Sequence, residues 1–273
     1  MRTSSSYLLI TIYLLATLLL CFRPGNALAG ISISPAFIEL RLDKGVPAGQ
    51  FLITNSGDVE ERYRIKAIHF IFASDGGFRE MQPDEHSLAE WVKFNPKEFT
   101  LPPQSRQAVR FVVTPRGKLK TGEYWAAMEL ESLKTSVAKS KDDKGKTYKF
   151  EVIPTIVVPI FAQVGDVRYM GTVKDLQVVS QENSQSVGHL VVNTGEGRLF
   201  VVGDYEIANE AGEVVSKDSL VRTYIMPGSE RKVVSAIKDK LPPGNYSLKV
   251  QYNSSQLKSP LIGETKITVL PTT

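Results

Sequence analysis

Ile53-Thr54-Asn55-Ser56-Gly57, followed by Leu101-Pro102-Pro103-Gln104-Ser105 and then Gly122-Glu123-Tyr124, is one half of an internal repeat. The other half is Val191-Val192-Asn193-Thr194-Gly195, then Ile225-Met226-Pro227-Gly228-Ser229, then Gly244-Asn245-Tyr246. In each copy an apolar run ends in Asn-(Ser/Thr)-Gly, a proline-marked turn leads into a second run, and Gly-x-Tyr opens a third. From the turn serine to that glycine is 17 residues in the first copy and 15 in the second. Short hydrophobic runs punctuated by Gly, Pro, Asn and Ser read as antiparallel β-structure rather than helix. Two copies predict two immunoglobulin-like β-sandwich domains in tandem, an all-β chain of the kind that binding proteins commonly use.

The runs outside the repeat extend this reading. Ile31 to Ser34 and Phe37 to Leu42 form a strand interrupted by Pro35, which suits an edge or a bend between sheets. Gln50 to Thr54 and Glu61 to Phe70 follow, with Tyr63, Ile65 and Ala67 on one face. Ser87-Leu88-Ala89-Glu90 has capping-box spacing and predicts one short helix over Leu88 to Phe94. Arg106 to Thr114 alternates, with Val109, Phe111 and Val113 on one face. Gly165-Asp166 marks the boundary between residues 30–164 and 165–273, and eight short strands are expected beyond it, one of them over Ser219 to Tyr224.

Residues 1–29 read as a cleaved secretory signal peptide. Arg2 supplies the positive start, Tyr7 to Cys21 the apolar run, and Ala27-Leu28-Ala29 the small-residue cleavage site. That apolar run is short of the roughly 20 residues of a membrane span. Cys21 is the single cysteine, so the 244 residues that remain hold no disulfide and no thiol chemistry. Loss of Arg2 and Arg23 lowers the net charge from +4 to +2, a balance that calls for no nucleic acid as partner.

No catalytic constellation is legible, and the chain reads as a binder rather than an enzyme. His69, His86 and His189 are the three histidines, and none has helical zinc-site spacing. No nucleophile elbow or phosphate loop is present, and no cofactor, metal or small-molecule substrate is expected. Asp84 with Glu85, Glu129 with Glu131 and Asp142 with Asp143 are adjacent acids of the kind that commonly decorate a solvated face; Glu129 and Glu131 share a strand face, the spacing that a glycosidase pair would draw on.

Two neighbouring segments stand apart. Leu133 to Lys149 is lysine-rich with almost no apolar anchor and is expected to be a solvated loop. Phe150 to Val164 is the most apolar stretch after the leader, with hydrophobic groups on both faces of one expected strand. Either both faces are covered within the protein or one is kept for a partner. Pro154 and Pro159 cannot donate to a ladder and favour an edge.

At this point the sequence resembles the periplasmic pilus-assembly chaperones of the PapD-like superfamily, as a divergent member. The likeness covers most of the chain after residue 29 in order and length, and is sharpest between Pro96 and Phe161. The segment Pro96 to Phe111 is similar to that family's proline, apolar, turn and arginine-bearing strand; Gly122-Glu123-Tyr124-Trp125 is similar to the run before its aromatic strand; and Val158-Pro159-Ile160-Phe161 is similar to the end of its last first-domain strand. The resemblance implies a periplasmic chaperone that fills the groove of an incomplete exported fimbrial subunit by β-strand addition, with an outer-membrane usher as a further partner. It implies a donated row of Tyr148, Phe150, Val152 and Ile156, continuing into Val158 and Ile160. The family's basic pair for the subunit's terminal carboxylate is not matched, since Pro35 and Val158-Pro159 stand at the corresponding places. The alternative reading is a structural or adhesive component of a surface assembly, in which the same domains stack.

Overall fold

A computed structural model describes residues 30–143, 145–181 and 184–270, and the expected signal peptide lies outside them. The first half of the chain builds two facing sheets. One contains β1 (Ile31–Ser34), β3 (Ala48–Asn55), β8 (Ser105–Val113) and β6 (Val92–Asn95), paired in that order. The other orders β2 (Ile38–Arg41), β12 (Thr155–Val164), β9 (Gly122–Ser132), β4 (Glu61–Phe72) and β5 (Phe78–Met81), with β7 (Glu98–Leu101) also on β4. A separate ribbon pairs β10 (Ser136–Lys141) with β11 (Thr147–Val152).

The second half repeats the plan. β13 (Gly171–Gln181), β14 (Ser184–Asn193) and β18 (Glu230–Ala236) form one sheet. β16 (Val214–Ser219), β15 (Leu199–Asn209), β19 (Gly244–Asn253) and β20 (Leu261–Val269) form the other, with β17 (Thr223–Ile225) on β15. The strand expected over Ser219 to Tyr224 is thus divided between β16 and β17, because Leu220 turns into the core. Its amide bonds to the Gly203 carbonyl at 2.8 Å.

Pro35 explains how one N-terminal segment serves both sheets. β1 runs antiparallel to β3, with Ile33 opposite Ile53. Past the proline, which cannot donate to a ladder, β2 runs parallel to β12, with Ile38 opposite Ile160. The alternation read from sequence gives the core between the sheets: Phe51 and Ile53, Tyr63 and Ile65, and Val109, Phe111 and Val113 all point inward. A separate core in the second half gathers Val191, Leu199, Tyr205, Ile207, Leu248 and Tyr252.

The repeated motifs have a physical cause that the sequence did not disclose. Asn55 is buried and donates through Nδ2 to the carbonyls of Val59 (2.7 Å), Leu101 (3.2 Å) and Pro102 (3.1 Å), while its Oδ1 accepts the Gly57 amide (2.9 Å). Asn193 does the same for Gly197 (2.9 Å), Ile225 (2.8 Å) and the Gly195 amide (2.9 Å). Each asparagine satisfies otherwise stranded backbone groups where two strands turn. The Gly-x-Tyr tyrosines fold back on the preceding loop: Tyr124 donates to the Lys120 carbonyl (3.1 Å) and Tyr246 to that of Pro242 (2.8 Å). This is the tyrosine corner of immunoglobulin-like sandwiches.

Three expectations are corrected. Residues 88–94 form a single turn and then β6, not a helix. The chain before the turn is bound to β9, with the Leu88 amide on the Trp125 carbonyl (2.9 Å) and the Trp125 amide on that of His86 (2.9 Å). Leu88 fills the first core. That tertiary pairing overrides the local capping signal. Leu133 to Lys149 is not a loop, because most of it forms the β10–β11 hairpin. Asp142 and Gly145 close the turn (2.9 Å), with Gly145 at a φ of 78°. Finally, Phe150 to Val164 is not one strand. It breaks at Ile153-Pro154 into β11 and β12.

Candidate functional site

β9 and β12 continue beyond the sandwich as the β10–β11 ribbon, so the first domain carries an arm. The Ser132 amide bonds to the Pro154 carbonyl (3.0 Å) at the joint. Register pairs Tyr148 with Ser140 and Phe150 with Ala138. Directly paired residues point to the same face, so aromatic groups stand opposite small ones. Tyr148, Phe150 and Val152 project on this face, exposed at 40%, 52% and 42%, and the two rings stack at 6.4 Å. Lys141, Lys149 and Glu151 lie on the other face, with Val137 beside them opposite Glu151, so that face is mainly charged.

The six residues read from the sequence as one row are therefore not brought together. Tyr148, Phe150 and Val152 form an exposed row. Ile156 is half-buried and packs against the first core. Val158 and Ile160 are inside that core, opposite Met128 and Ala126 of β9, and are a correction: they fill their own domain and do not belong to an outward row. The opposite face of β12 is also covered. Val157 and Phe161 pack in a third cluster with Phe70, Trp125 and Met226, the last from the second domain.

What remains open is an edge. β2 pairs only with Ile160 to Gln163, so among the described residues Thr155 to Pro159 have no strand on that side. Among the described residues β11 pairs with β10 and no other strand. Among the described residues, an edge with no further strand beside it therefore runs from the arm down to Pro159, and Pro154 and Pro159 supply no amide hydrogen along it.

At the foot of this edge the two domains are joined by a buried ion pair. Arg198, just before β15, donates through Nη1 to Oε1 of Glu123 (2.5 Å) and through its backbone amide to Oε2 (2.6 Å). Its Nη2 reaches Glu39 on β2. The guanidinium lies 3.7 Å from the centre of the Phe161 ring. Glu123 is fully buried, and desolvation pushes its carboxyl above the ordinary value; the Arg198 charge and amide pull it back only in part. A second contact holds the domains together: the Lys232 amide bonds to the Ser74 carbonyl (2.9 Å), and the Arg231 guanidinium lies over Gly76, in the space that a Cβ would take. Sequence reading missed Arg198. The signal for it was an arginine set directly before an apolar strand, at the end of the Asn193 turn.

No family model and no curated protein matches the chain. Solved structures do. The crystal structure of the class 5 fimbriae chaperone CfaA shares 13% identity and a TM-score of 0.47, over 89% of this chain and 100% of that one. The CsuC–CsuE chaperone–tip adhesion subunit pre-assembly complex from the archaic chaperone-usher Csu pili of Acinetobacter baumannii gives 12% identity and 0.45, over 88% and 98%. The Salmonella enterica SafA pilin in complex with the SafB chaperone gives 11% and 0.43, over 86% and 96%.

Proposed function

We propose that this chain is a periplasmic chaperone-like protein of two immunoglobulin-like domains, 30–164 and 165–273. It holds an exported fimbrial or surface subunit by adding the open edge of β11 and the start of β12 to the subunit's sheet. The observation that carries this reading is the exposed row Tyr148, Phe150 and Val152 on a strand that, among the described residues, pairs with β10 and no other strand, outside two cores that are already closed. Strand addition suits such an edge: main-chain hydrogen bonds give affinity, and alternate side chains fill the partner's pockets. Lys141 and Lys149 on the opposite face, with Pro154 and Pro159 beside the row, are devices that keep a lone edge from pairing with itself. The signal peptide read from residues 1–29 supports delivery to the periplasm.

Full burial of a large apolar side chain stabilises by roughly 1.5–3 kcal/mol. About half of that remains to be gained for each of the three, on the order of 3 kcal/mol together. Phe150→Asp removes one such contribution and places a charge in the interface. Co-expression with exported subunits of the same organism is the test. The wild-type chain gives a soluble one-to-one complex, and Phe150→Asp and Tyr148→Asp weaken it at least tenfold with unchanged melting temperature. Unchanged capture by both variants, or retention of the chain in the finished fibre, would overturn the proposal.

A further inference from the structure

Charge is spread unevenly along this chain, and the arm holds the excess. After residue 29 the sequence has 31 basic and 29 acidic groups. Residues 133–152 take six lysines and three acids of these, a net +3, which leaves 25 basic and 26 acidic groups, a net −1, for all the rest. Placement within the arm sharpens the imbalance. Lys141 and Lys149 share the face away from Tyr148 and Phe150, and the ladder sets Lys149 opposite Lys139. Like charges directly opposite one another destabilise a ribbon. The acid at the tip is engaged elsewhere: Asp142 accepts the Lys146 amide at Oδ1 (2.8 Å) and the Tyr148 hydroxyl at Oδ2 (3.2 Å). Among the described residues, Lys141, Lys146 and Lys149 stand in no ion pair, whereas Lys66, Lys217 and Lys249 on other strands each meet a glutamate.

A strand laid beside β11 meets both faces of the arm at once, because its side chains alternate. One of its rows joins Tyr148, Phe150 and Val152, and the other comes alongside Lys149. A flat lipid surface would meet one face alone, so that with the aromatic row turned inward Lys149 points away from the headgroups. A second copy of this chain would set one cationic arm against another. We propose that the segment held by the arm alternates apolar residues with aspartate or glutamate, and that Lys141, Lys146 and Lys149 select it through those carboxylates. This rests on the strand-addition reading and adds to it the chemical class of the partner: a subunit whose groove edge is acidic on its outer face. The same charge speeds encounter, since attraction between exposed groups reaches about 10 Å at 0.1 M salt. Glu151, nearer the joint, confines the preference to the tip half of the arm.

The test uses the full chain and three short labelled peptides that share one valine row and alternate it with Glu, with Ser or with Lys. Fluorescence anisotropy is expected to show the Glu peptide binding about tenfold more tightly than the Lys peptide at low salt, with the gap closing at about 1 M salt, where the screening length falls to about 3 Å. Lys141→Gln, Lys146→Gln and Lys149→Gln combined bring the three peptides level, and Phe150→Ser weakens all of them. Equal affinities for the three peptides, still weakened by Phe150→Ser, sink the charge selection and leave strand addition standing. So does binding to phosphatidylglycerol vesicles that the lysine variant loses, in place of any preference among peptides. Glu-peptide binding that Phe150→Ser does not weaken marks an ionic contact without strand pairing and overturns the proposal. Binding of none of the peptides removes the two readings together.

Discussion

Replacing Arg198 with methionine keeps most of the side chain's apolar bulk and removes its charge. Glu123 is then left buried with the backbone amide of residue 198 as a remaining donor. Removing one partner of a buried pair typically costs about 3–5 kcal/mol. The contact with the largely exposed Glu39 adds at most about 1 kcal/mol, and the lost stacking on Phe161 about 0.5–2 kcal/mol. Together these put the expected loss at neutral pH at about 3.5–8 kcal/mol. The pH dependence has a definite sign. Burial already raises the Glu123 carboxyl above its ordinary 4.5, and without Arg198 it rises further. A raised acid contributes stability that is fully present below its unfolded value and is lost as pH rises through the folded one. The deficit of Arg198→Met therefore shrinks on acidification. Glu123→Gln in the same chain removes the buried charge and restores most of the loss at pH 8. Urea unfolding at pH 5 and pH 8, followed through the neighbouring Trp125, measures all four members of the cycle. A deficit under about 1 kcal/mol at pH 8, equal deficits at both pH values, or no recovery in the double variant would refute the reasoning.

Two further expectations concern the cores. Asn55→Ala and Asn193→Ala each strand backbone groups that the amide now satisfies, at about 1–3 kcal/mol per group. Each lowers unfolding free energy in urea by about 3 kcal/mol, whereas Ser56→Ala at the exposed next position leaves it unchanged. His189 is buried with Nε2 2.8 Å from the Tyr252 hydroxyl, and burial holds its pKa down at about 4. A lowered base binds its proton in the unfolded chain first, so stability present above pH 6.5 falls by about 3 kcal/mol as pH drops towards 4. His189→Gln keeps a hydrogen-bonding group and flattens that slope in hydrogen exchange of β14 and β19; a slope equal to wild type would count against the assignment.

The all-β plan was legible because local alternation and core burial agree. Val109, Phe111 and Val113 alternate with polar neighbours in sequence and face the core in space. The Asn55 and Asn193 motifs were visible as a repeat, although their purpose required the long-range carbonyls that they bind. What stayed hidden depended on distant partners. The capping signal at Ser87 yields to pairing with Trp125, which no window around residue 87 contains. Residues 136–141 carry too few apolar groups to read as a strand, and they become one only opposite Tyr148 and Phe150. In the run from Val157 to Phe161, hydrophobic groups on both faces look alike whether they meet a partner or their own protein. Val158 and Ile160 meet the first core, and Phe161 meets Met226. Arg198 finds Glu123 across 75 residues of chain, a pairing with no local signature.

The most direct measurement of the central claim is amide hydrogen exchange of residues 147–157, alone and in complex with a captured subunit. Slow exchange across this stretch only in the complex, with β9 unchanged, is the result expected of an edge that gains a strand. Protection of 147–157 that is the same with and without subunit would show that the edge is not where the subunit is held.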